Sequence, residues 1–222
     1  MPIETVRLPT WARSGGSCVS PPHACGFSAR GRVAGQSSGR PTPHSANVIG
    51  MSGTYLLILG HGEAVAWVLR EQRMAFPARR HAEVSRLEPG DELLVYATRG
   101  AWNNPTRDRG RVIARATVAS PVTVLDPPVT VAGREFASGC RIRVTELAPF
   151  GGGVELAPLV PELAAFPDPA SWSVRLRRPL LALPEQDAAR LRGLLAEVAG
   201  TREEHLAGYL EHATGPRAAR AV

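Results

Sequence analysis

Between Arg86 and Ser120 two strand-like runs flank a loop too polar to bury, and no other stretch constrains the fold as much. Pro89-Gly90-Asp91 reads as a tight turn, because proline presets φ and glycine tolerates positive φ. Glu92–Ala97 has the apolar run of a strand, and Arg111–Val118 alternates polar and apolar residues in its second half. The loop between them, Thr98 to Gly110, carries Trp102, Asn103 and Asn104 among Arg99, Arg107 and Arg109. Such residues make poor core and good contact surface; the plainer alternative is a solvated hairpin connection.

The rest of the chain supplies more short strands. Thr54–Leu59 is nearly continuous in apolar residues, as a buried strand is. Gly60-His61-Gly62 breaks it, and Glu63–Arg73 reads as a helix with Val65, Val68 and Leu69 on one face and Trp67 as a packing residue. Met74–His81 is a basic extended link, since Pro77 disfavours helix at Phe76. Val122–Leu125, Val129–Val131 and Cys140–Leu147 follow as strands, the last with the cleanest alternation. Pro158 and Pro161 limit Val154–Leu163 to one helical turn. Ser171–Arg178 alternates again, with Trp172, Val174 and Leu176 on one face and Arg175 and Arg177 on the other. Pro184 suits the first position of a helix to about Val198, and Thr201 with Glu204 forms a capping box for a last helix ending near His212. So many short strands with a few helices predict an α+β fold built on a barrel or strongly curved sheet.

Residues 1–50 lack any sustained period and are rich in Ser, Gly, Pro, Arg and Ala, so disorder is expected there, with Met51 a candidate start. The globular domain is expected over 51–214, followed by a tail over 215–222.

The net charge of +6 comes from 26 basic residues, all arginine, against 20 acids. Without lysine there is no Schiff-base chemistry and no P-loop of the G-x-x-x-x-G-K form. Residues 1–50 hold five arginines and one glutamate; the other 172 hold 21 arginines and 19 acids, too near neutrality for a broad phosphate-binding face but not for local patches. Cys18, Cys25 and Cys140 suggest neither a disulfide framework nor a zinc site, and His61 with Glu63 lacks the P-C-x-x-C partner of a deaminase. No apolar run approaches 18 residues and no charged-then-apolar leader opens the chain. A soluble cytoplasmic protein without membrane span, metal or cofactor is therefore expected. No G-x-S-x-G, His/Cys dyad or framed carboxylate cluster points to catalysis, and no catalytic residue is expected.

From Thr54 to Ala199 the order of features resembles the EVE domain, a member of the PUA-like superfamily with the YTH and ASCH domains. The features are a Tyr-led first strand, a helix, a link ending in proline, S-R-L-E-P-G-D before a strand with a tyrosine, then A-P-L-V-P-E-L, Phe166 six residues before Trp172, and L-P-E-Q-D before a closing helix. Leu56 and Met74 stand where that family usually carries aromatics, so the resemblance implies either that Phe76 supplies the missing ring or that Met74 serves as a softer wall. The resemblance implies a PUA-like curved or closed β-barrel of about six strands with flanking helices. It also implies a non-enzymatic module that reads a modified nucleobase in DNA or RNA through an aromatic-lined pocket. On that reading Phe76, Tyr96, Trp102 and Trp172 supply ring surface, Asn103 or Asn104 reads the base edge, and Arg79, Arg80, Arg175 and Arg177 hold phosphates. The alternative is a small-molecule or protein-interaction module on the same barrel.

Overall fold

Glu92–Ala97 is buried at every position, and the reason is that both faces of its strand are covered. In the computed structural model, which describes residues 52–77, 82–104 and 106–213, this strand is β3 of an eight-stranded sheet. The strands are β1 (Thr54–Leu59), β2 (Arg73–Phe76), β3, β4 (Arg111–Val118), β5 (Thr123–Val131), β6 (Arg134–Leu147), β7 (Val154–Glu155) and β8 (Leu180–Leu183). A path of six runs β2-β6-β4-β3-β1-β8, with β5 on β6 and β7 on β4. The architecture is α+β: a strongly curled half-barrel with helices on its flanks.

Curling is built into β6, whose 14 residues serve two sets of neighbours. Its first half pairs with β5 and β2, and its second half pairs with β4, with a register shift inside that pairing between Arg115 and Ala116. Alternate side chains then separate into two cores. Leu57, Leu93, Val95, Ile113 and Ile142 point into the barrel with Met74, Phe76 and the apolar face of α1 (Gly62–Glu71). Leu56, Leu94, Tyr96 and Val112 point outward, under α4 (Glu185–Ala196) and the segment containing Leu163 and Phe166.

The helix ends are closed by side chains from far along the chain. Gln72 ends α1 in the left-handed region, and its side-chain carbonyl accepts the Val144 N–H at 3.0 Å. Arg202, at the start of α5 (Arg202–Ala213), donates to the carbonyls of Leu69 and Arg70, the orphan acceptors of α1. The capping box forms as expected: Glu204 accepts the Thr201 N–H at 2.8 Å and Thr201 Oγ1 accepts the Glu204 N–H at 3.3 Å.

Several boundaries differ from expectation. Met74–Phe76 belongs to β2, a paired strand rather than a bare link, and Ala82–Ser85 forms a short helix α2. The two runs around Pro127-Pro128 are one strand, β5. Ser171–Arg178 is not a strand: Trp172–Arg175 is the helical turn α3, with Asp168 accepting from the Ser171 hydroxyl and the Ala170 N–H. That turn consumes the residues whose alternation suggests a strand, and the chain pairs with β1 only from Leu180. Pro184 sits one place earlier than expected, at the N-cap of α4. Residues 1–50, Arg79, Arg80 and the 215–222 tail lie outside the described residues, and so do the expectations placed on them. Among the described residues no helix is long and apolar enough to cross a membrane.

Candidate functional site

A cavity of about 410 Å³ opens where the end of β1 meets the first turns of α1, the end of β2, the β5–β6 hairpin and the segment Leu176–Pro179. The hairpin reaches it through a two-residue turn, Ala132-Gly133, with φ of 49° and 70°; positive φ at both positions is the twist that a right-handed strand pair prefers. This turn sets Arg134, Glu135 and Phe136 on one wall. Ala64 and Trp67, three residues apart on α1, form a second. Phe76 and Pro77 at the end of β2 form a third, and Arg177 and Arg178 also line the space.

Trp67 and Phe136 are half-buried and line this space, Trp67 packing against the barrel core as expected of it, whereas Phe76 is only 1% exposed and belongs to that core. Arg178 is held by Glu83 at 2.7 Å. Among the described residues Arg134 and Arg177, both exposed, make no ion pair, and Glu135 is the one acid on the walls. Apolar walls with a few convergent polar groups, at a volume inside the roughly 300–1,000 Å³ usual for small-ligand pockets, suit a flat aromatic ligand attached to an anionic group.

Of the residues singled out in the sequence, Phe76 and Arg177 meet at this cavity. The others do not. Tyr96 lies on the outer face of β3, its hydroxyl over Gly110, where any side chain would strike it. Trp172 packs edge-on against Phe166 in the same outer core, ring centroids 5.9 Å apart. Arg175 donates to the Ala165 carbonyl. Leu56 and Met74 are buried in the outer and barrel cores and form no part of the cavity wall.

The β3–β4 loop is only partly the contact surface its composition suggests. Trp102 turns inward against Phe150 and Tyr209, at centroid distances of 4.9 and 6.0 Å, and covers Gly62, where a Cβ would lie 2.6 Å from the indole. It borders a separate space of about 100 Å³. Asn103 and Asn104 are exposed, and the Asn104 side-chain carbonyl accepts the Thr106 hydroxyl at 3.0 Å, which leaves it bracing the loop.

The residues missed in the sequence are Trp67, Phe136 and Arg134. Trp67 has a weak signal, since it stacks along the helix over a small residue, Ala64, at i−3. Phe136 has none, because its place depends on the hairpin turn.

Burial pushes the Tyr96 phenol up to about 12, and that of Tyr209, whose hydroxyl donates to the Ala148 carbonyl at 3.0 Å, higher still. A folded-state value above the unfolded one means stability that is complete below pH about 10 and lost as the pH rises toward 12. Alkaline titration is therefore expected to show unfolding together with tyrosinate absorbance. Tyr96→Phe should flatten the loss of stability above pH 10; an unchanged profile would mean that the Tyr96 phenol is solvated.

No protein-family model matches the chain, and no curated protein matches it. Solved structures of similar fold include a hypothetical protein from Leishmania major, 12% identical, covering 66% of this chain and 96% of that one at a TM-score of 0.44. A Pseudomonas putida protein is 14% identical over 64% of this chain and 98% of its own, with a TM-score of 0.42. The Mmi1 YTH domain, solved in complex with RNA, is 13% identical over 66% of this chain and 79% of its own, with a TM-score of 0.45. Each of these is a likeness of fold.

Proposed function

We propose that this domain is a non-enzymatic, EVE-type member of the PUA-like superfamily that takes a modified nucleobase of DNA or RNA into the cavity between α1 and the β5–β6 hairpin. The observation that carries this reading is the meeting of Trp67 and Phe136 with Arg134 and Arg177, two guanidiniums without an ion pair among the described residues. Extruding a base costs a few kcal/mol and stacking returns about 1–3 kcal/mol per ring, so one ring would not hold an extruded base. Two partly buried rings in the same cavity lining offset that cost, and the arginines meet the flanking phosphates through charge-assisted hydrogen bonds.

The test is binding of matched modified and unmodified oligonucleotides across a salt series. Phe136→Ala is expected to weaken the modified oligonucleotide about tenfold or more and to remove most of the preference, the stacking contribution of one ring. Arg177→Ala should weaken both alike and flatten the salt dependence by about one unit of slope. If wild type binds both equally at every salt concentration, the base-reading function fails and a small-molecule or protein-interaction module takes its place.

A further inference from the structure

A second basic surface lies on the outside of the curled sheet, where β2 runs beside β6. Arg73 and Arg141 are register partners in that antiparallel pair, so their Cα atoms stand about 5 Å apart and their side chains leave the same face. Arg143 follows Arg141 two residues along β6, about 7 Å away on that face, opposite Thr117 of β4. All three are exposed, and among the described residues none makes an ion pair or a side-chain hydrogen bond. On the adjoining strand β4 the pattern is the opposite: Arg111 holds Glu155, and Arg115 holds Glu92 and Glu146.

Like charges directly opposite each other in a sheet destabilise it. Among the described residues no acid forms an ion pair with these three guanidiniums, so the described fold does not account for them. The face also leads to the cavity. Ala75, two residues from Arg73 on the same side of β2, is part of the cavity wall, so about 7 Å of strand separates the two features.

We infer that Arg73, Arg141 and Arg143 form a phosphate-contact surface for the backbone of the same nucleic acid whose base enters the cavity. This rests on the nucleic-acid reading of that cavity. Three guanidiniums on a solvated face attract phosphates without reading sequence, which complements a cavity that reads a base and little else. An acidic protein surface would meet the same charges, but the continuity with the cavity favours a strand that spans both.

The experiment compares the full chain with R73Q/R141Q/R143Q and with the single variant Arg141→Gln. The probes are a mixed-sequence single-stranded oligonucleotide of about 20 nucleotides, its modified counterpart and polyglutamate, titrated from about 50 to 200 mM salt. The triple variant is expected to lose about two units of slope in log K against log salt, and the single variant about 0.7, for both oligonucleotides alike. Affinity at low salt should fall at least tenfold in the triple variant, with the ratio of modified to unmodified binding unchanged. Its Tm should stay level or rise, because a like-charge pair has been removed.

Slopes and affinities equal to wild type would overturn the phosphate surface, and a base preference retained in that result would leave the cavity reading intact. A slope lost in the variant while wild type shows no base preference would uphold the surface and sink the cavity reading. Polyglutamate bound as tightly as the oligonucleotide, and released by the same substitutions, would assign the face to an acidic protein and overturn the inference. A fall in Tm in both variants would make the arginines structural and overturn it as well.

Discussion

Phe76→Ala is expected to destabilise the domain by about 3–5 kcal/mol, the usual cost of truncating a fully buried aromatic. The ring borders the cavity, yet its 1% exposure places it in the barrel core with Leu57, Val68 and Met74. Truncation would remove buried apolar area and leave a void between β2 and α1 that the two-sided pairing of β6 prevents from collapsing. Urea denaturation gives the measurement: the midpoint should fall sharply in Phe76→Ala at constant m-value, while Phe136→Ala, half-buried and outside both core clusters, should shift it by under about 1 kcal/mol. Equal shifts in the two variants would mean that the Phe76 ring is free in the cavity. Binding experiments on Phe76→Ala alone would mix loss of fold with loss of site, which is why Phe136 is the better probe of function.

What the sequence conveys about this fold is local. The apolar stripe of α1, the capping box of α5 and the runs of β1, β3 and β4 are set by neighbours three, four or two residues apart, and all of them form. The strands β2 and β8, four residues each, have no period of their own to display and exist because β6 and β1 offer edges. Tyr96 shows why ring placement is less legible. A strand buried on both faces has no polar alternation to tell inside from outside, so a pocket ring and a core ring look alike in the run Leu93–Ala97. Trp102 misleads in the other direction, since the polarity of its loop conceals the one side chain that Gly62 admits to the core. The cavity draws on five separate stretches of chain, and Trp67, Phe136 and Arg177 come together only when the hairpin turn, α1 and the Leu176–Pro179 segment are in place.

Glu92→Ala is expected to cost about 3 kcal/mol, at the low end of what breaking a buried ion pair does. The carboxylate is 11% exposed and serves three partners: one oxygen accepts from Arg115 Nε, the other from the Thr54 hydroxyl at 3.1 Å and from Arg192 at 2.9 Å. Arg192 comes from α4, so this one side chain ties that helix to the β1–β3–β4 part of the sheet. Burial acts to lower the Arg115 pKa, and the hydrogen bonds and charges of Glu92 and Glu146 outweigh it, so the guanidinium sits above its ordinary value. Removing Glu92 leaves Arg115 with Glu146 and Arg192 with Glu185, which keeps the cost below the upper end of the range. Glu92→Gln should cost less, since it preserves the hydrogen bond from Thr54 while discarding the charge. A double-mutant cycle with Arg192→Ala, followed by urea denaturation, should give a coupling above about 1 kcal/mol, beyond the range of an exposed pair. A coupling near zero would mean that solvent screens the network and that α4 is held to the sheet by Leu191 and Leu195 alone.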